Sequence, residues 1–134
     1  MSYREDFKLT EALNSAYEIG KLISDHVFTG NRPQAIPEAM KDFVVVSIPS
    51  RMESSTYGGG YGMTSGYCNF EIYVRQKKGG MEDLKKLNTM LGELLDAFPY
   101  SDTRMQLARP IVALRGNDGL GFSAALVRAE LVIK

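Results

Sequence analysis

Tryptophan is absent from this 134-residue chain, cysteine and histidine occur once each, and the net formal charge is zero. A single cysteine, Cys68, excludes an internal disulfide framework and a cysteine-built zinc site. A single histidine, His26, excludes a histidine-pair metal site, and any histidine-based triad would need this one residue as its base. Sixteen basic residues balance sixteen acidic ones, so no global field draws the chain to nucleic acid or an anionic membrane, and specific nucleic-acid binding is not expected. No apolar run reaches the length of a membrane span, and "MSYREDFKLT" alternates charges where a secretory signal would be apolar. The expectation is a cytoplasmic protein without a membrane partner, stabilised by packing. The length fits one domain, residues 1–134.

Within that domain, Leu13, Ala16, Tyr17, Gly20, Ile23 and Val27 recur three or four apart and predict a first helix over Thr10 to His26. Thr10 would cap it, and Gly30, Asn31 and Pro33 would stop it. An extended connector with Pro33 and Pro37 leads to "DFVVVSIP", whose continuous apolarity predicts a strand covered on both faces. Next, "YCNFEIYVRQ" alternates, with Cys68, Phe70, Ile72 and Val74 on the core face and Tyr67, Asn69, Glu71, Tyr73 and Arg75 on the other. The stripe Met81, Leu84, Leu87, Met90, Leu91, Leu94, Leu95 and Phe98 predicts a second helix, broken by Pro99. Finally "QLARPIVALRG" and "GFSAALVRAELVIK" flank "NDG", a hairpin signal. These elements predict an α+β fold: a mainly antiparallel four-stranded sheet with two helices packed on one face, in the order α-β-β-α-β-β.

Candidate chemistry is sparse. The stretch "STYGGGYGMTSGY" is glycine-rich, but it leads into a strand and lacks the lysine and serine or threonine of a phosphate loop. Gly79 and Gly80 do precede a helix, yet Glu82 and Asp83 occupy its first turn and would repel an anion. His26 fits a helix C-terminal cap, and Cys68 lies on an apolar parity where cysteine behaves as a small hydrophobe. Asn117 and Asp118 read as turn residues. The pairs Glu82 with Asp83 and Glu93 with Asp96 read as a solvated helix face. No catalytic residues, cofactor or metal ligands are therefore assigned, and an enzyme is not expected.

Contact-forming residues are plentiful by comparison. Tyr57, Tyr61, Met63 and Tyr67 are interleaved with glycine and serine, a mixture that presents aromatic area on an adaptable backbone. They mark a candidate interaction loop, with a flexible segment at about 51–66. The polar strand face with Glu71, Tyr73 and Arg75 is a candidate subunit-contact surface, and a neighbour on it would account for the two-sided apolarity of Phe43 to Val46.

The order of elements resembles that of the tail-terminator and tail-completion (head-tail joining) proteins of long-tailed bacteriophages. The resemblance rests on the N-terminal helix and on the connector with Pro33 and Pro37 leading into "FVVVSIP". It rests also on "FEIYVRQKKGG" running directly into "MEDLKKLNTMLGELLDAF", and on the closing hairpin "ARPIVALRGNDGLGFSAALVRAELVIK". It implies a non-enzymatic protein of a phage or prophage tail that self-associates into a ring, usually a hexamer, which caps the tail tube and meets head-completion proteins. Its partners would be itself, the tail tube protein and a head-completion protein. Its location would be the bacterial host cytoplasm during assembly and then the virion tail. The other reading is a small-ligand-binding α+β domain, or a host-encoded enzyme, with its pocket under the 51–66 loop.

Overall fold

The computed structural model describes residues 9–48, 53–54 and 64–133. Helix α1 (Leu9–Lys21) buries Ala12, Ser15, Ala16, Ile19 and Gly20, residues spaced three or four apart along one stripe. It is shorter than the predicted Thr10 to His26, and Thr10 lies inside it. After Lys21 the backbone closes into tight turns, with Leu22 N bonded to Ile19 O and both Ile23 N and Ser24 N bonded to Gly20 O. Ser24 accounts for the early stop. Its hydroxyl accepts from His26 N and donates to Asp42, local bonds that compete with the helical ladder. The chain then enters strand β1 (Val27–Thr29). Gly20 permits the close approach of helix and strand, since a Cβ there would lie 3.1 Å from Val27 Cγ1.

The remaining elements are β2 (Asp42–Ser47), β3 (Glu53–Ser54), β4 (Thr64–Arg75), α2 (Leu84–Leu95), β5 (Tyr100–Ser101), β6 (Met105–Asn117) and β7 (Phe122–Ile133). The four-stranded, mainly antiparallel sheet in the order α-β-β-α-β-β is therefore corrected. Among the described residues, seven strands share one sheet, six along the path β1-β2-β4-β7-β6-β5 and β3 beside β4. The sheet is mixed, because β1 runs parallel to β2. The three unforeseen strands have two or three residues each, too short for an alternating pattern to register.

One face of the sheet carries the main core. Ala12, Ala16 and Ile19 of α1 and Leu87, Met90 and Leu94 of α2 join Val44, Phe70, Ile72, Val127 and Leu131 in one buried cluster. Helix α2 begins later than its apolar stripe suggests. Asp83 is its N-cap, its side chain accepting from Lys86 N, so Met81 falls outside the helix and is exposed. Strands β6 and β7 pair antiparallel as the turn signal predicts, with register shifts at Ala108/Ile111 and Leu114/Gly116. Arg109 sits at the first shift with φ of 54°, a left-handed conformation that a side chain adopts at some cost.

Asp102 ties α1 to the far edge of the sheet. Its carboxylate accepts from Ser15 Oγ at 2.9 Å, Tyr100 Oη at 2.7 Å, Arg104 N at 2.7 Å and Met105 N at 2.9 Å. Burial alone would raise its pKa, but the bonds from Tyr100, Met105, Arg104 and Ser15 outweigh burial and hold it down at about 2. The same bond pushes the Tyr100 phenol up to about 12, with burial adding to it. A folded pKa below the unfolded one contributes stability above about pH 4, and that contribution is lost as the pH falls through about 2. Asp102→Ala is expected to cost about 2 kcal/mol in urea unfolding at pH 7 and markedly less at pH 2.

Candidate functional site

Over β2 and the adjoining ends of β4 and β7, the second face of the sheet is covered by the chain itself. Phe43, Val45, Tyr73, Phe122 and Ala124 are buried there, with Phe28, Ile36 and Met40 packed against them. Tyr73 stacks on Phe43 with ring centroids 4.5 Å apart and 12° between planes, and Phe122 meets Phe43 edge-on at 5.2 Å. Two guanidinium groups close the cluster. Arg32 lies 5.0 Å from the Tyr73 ring centre and 5.5 Å from those of Phe43 and Phe122, and Arg75 lies 4.6 Å from Phe122. Arg75 also donates to the carbonyls of Met40 and Pro37, each at 3.1 Å, which fastens the connector down.

Asp118, in the β6–β7 turn, pairs with Arg32. Burial tends to raise its pKa, but the Arg32 bond and the amides of Leu120 and Phe122 lower it overall. Tyr73 donates to Glu71 Oε2 at 2.6 Å, and burial first, then this bond, pushes its phenol up to about 12. Between these pairs lies a cleft of about 220 Å³ bounded by Arg32, Glu71, Tyr73, Arg115 and Asp118. A second pocket, of about 440 Å³, lies among Leu9, Leu13, Asn31, Ile48 and Asn69, where the chain leaves β2.

The far edge of the sheet is different. Strand β5 covers only Gln106 and Leu107 of β6, and beyond them no strand among the described residues lies outside β6. The stretch Ile111 to Leu114 is exposed on both faces, with Ile111 at 66% and Leu114 at 71% of full exposure. Leu120, at the hairpin tip, is exposed as well. Register shifts on either side limit this open edge to four regularly paired residues, flanked by Arg109 with Pro110 and by Arg115.

Of the residues singled out in the sequence, Tyr57, Tyr61 and Met63 lie outside the described residues, as does most of the 51–66 segment. Tyr67 is exposed, with the Arg128 guanidinium 5.0 Å from its ring centre. Glu71, Tyr73 and Arg75 do share one face, but Tyr73 is buried beneath Arg32 and Arg75 is half-buried on the connector. The two-sided apolarity of Phe43 to Val46 is satisfied within the chain, so it requires no neighbouring subunit. Sequence reasoning missed Arg32, Phe122 and the open edge of β6. The run "PIVAL" was the available signal for the last, although it reads like any buried strand.

His26 is exposed. Cys68 is fully buried, and burial pushes its thiol pKa up to about 12. It should resist a thiol-specific reagent in native buffer and react fully in denaturant, as a colorimetric thiol assay would show. Among the described residues, no group of three or more His, Cys, Asp or Glu side chains is placed to hold a metal ion. No helix among them is long and apolar enough to cross a membrane.

No family model and no curated protein match the chain. It is similar to a solved structure designated only by a serial identifier, with a TM-score of 0.60 and 13% identity, covering 95% of this chain and 97% of that one. At that identity the likeness extends to the fold alone.

Proposed function

We propose that this protein is a structural subunit of a phage or prophage tail, acting by self-association into a ring that caps the tail tube and meets head-completion proteins. The observation that carries the reading is the open β6 edge, where Ile111, Val112, Ala113 and Leu114 are exposed on a strand with no outer neighbour there among the described residues. Fully burying a branched aliphatic side chain contributes about 1.5–3 kcal/mol, so three such residues on one edge supply a useful association energy. The resemblance of the N-terminal helix, the connector with Pro33 and Pro37 and the closing hairpin to those of tail-terminator proteins suggests the assembly; self-association itself stands on the edge. On this reading the protein acts without a catalytic step, first in the host cytoplasm and then in the virion. Electron microscopy of the protein mixed with tail tubes tests it: capping rings are expected, and bare tube ends would count against it.

The pocket of about 440 Å³ favours a second reading, a small-ligand-binding domain or host-encoded enzyme. Its volume is in the ordinary range for ligand sites, and it adjoins the point where the loop departs. A thermal-shift screen against nucleotides and metabolites separates the two. A saturable shift weakened by Asn69→Ala would support ligand binding, and a flat screen would oppose it.

A further inference from the structure

The turn between β4 and α2 displays charge that the protein's neutral total conceals. Lys77 N bonds to Met81 O at 2.7 Å and Gly80 N to Lys77 O at 3.0 Å, a tight turn in which Gly79 and Gly80 take φ of 88° and 80°. It borders a pocket of about 330 Å³ whose lining includes Lys41, Arg75, Lys77, Lys78 and Lys86 against a single carboxylate, Asp83.

The two acids that sequence reasoning set against an anion here are both engaged. Glu82 Oε1 accepts from Ser123 Oγ at 3.1 Å and does not line the pocket. Asp83 Oδ1 caps α2 by accepting from Lys86 N at 3.2 Å. Of the cations, Lys86 pairs with Asp42 at 2.7 Å and Arg75 is held by backbone carbonyls, whereas Lys77 and Lys78 project from the exposed turn. Gln76 also lines the pocket, and its Nε2 is buried with no hydrogen-bond partner. A buried amide donor without an acceptor is uncommon and costly, and a rotation of the side chain toward the pocket would let a ligand oxygen accept from it.

We propose that this pocket binds a phosphoryl group carried by a small molecule. Several ammonium groups, a guanidinium and a neutral amide donor together suit a compact, multiply charged oxyanion. The limited volume of about 330 Å³ and the chain's zero net charge favour a small ligand over an extended polyanion. The site is independent of the β6 edge and of the self-association reading.

Calorimetric titration with pyrophosphate at low, fixed ionic strength tests the proposal, using wild type, Lys77→Ala/Lys78→Ala and the charge-matched control Lys21→Ala/Lys85→Ala. Saturable wild-type binding is expected, at least about tenfold weaker in the pocket variant and unchanged in the control. Amide NMR should show the Gln76 side-chain resonance moving with saturation, a readout that general charge screening would not produce. Absence of saturable binding, or equal affinity in the two variants, would overturn the proposal. A duplex oligonucleotide that binds where pyrophosphate does not would overturn it in favour of a nucleic-acid surface.

Discussion

Replacing Ile111 and Leu114 together by aspartate is expected to leave a folded monomer and no assembly. Both side chains are more than half exposed in the chain alone, so their removal leaves no cavity and exchanges little native packing. In an interface built on this edge the same change would bury two carboxylates without partners while forfeiting two aliphatic contacts. A combined loss of about 4 kcal/mol or more weakens association by about a thousandfold. Sedimentation should find only monomer for the variant, with an unchanged thermal midpoint at the monomer level. Wild-type-like assembly by the variant would remove β6 from the interface.

The second large effect is one of stability. Phe43→Ala is expected to destabilise the fold by about 3–5 kcal/mol in urea unfolding. Phe43 is completely buried, and it lies at the centre of the second-face cluster, in ring contact with Tyr73, Phe122 and Phe28 and beneath Arg32. Its loss would also loosen the connector, because the rings on which Arg32 and Arg75 rest would shift. If this face were instead an open subunit surface, the substitution would cost well under 1 kcal/mol in the monomer.

Much of this arrangement is legible in the residues, and the failures have physical causes. The alternation from Cys68 to Val74 and the helical spacing around Leu87, Met90 and Leu94 report burial directly, and both appear in the core. Strand β1, which starts just past the predicted helix end at His26, is masked because Ile23 and Val27 continue the helical spacing, while the Ser24 side chain diverts the backbone. The runs "FVVV" and "PIVAL" look alike as strings, yet Phe43 to Val46 are buried and Ile111 to Leu114 are exposed. The difference lies in sheet position: among the described residues β2 has a strand on each side, whereas the outer part of β6 has only β7. Local sequence does not encode which strand lies at an edge. Arg32 was equally hidden, since its partner Asp118 is 86 residues away and a connector gives no periodic signal.

Self-association through that edge carries the proposed function. Sedimentation velocity of the wild-type protein across a wide concentration range tests it most directly. A defined oligomer is predicted, dissociating on dilution and abolished by aspartate at Ile111 and Leu114. A wild-type protein that sediments as a monomer at every concentration would contradict it.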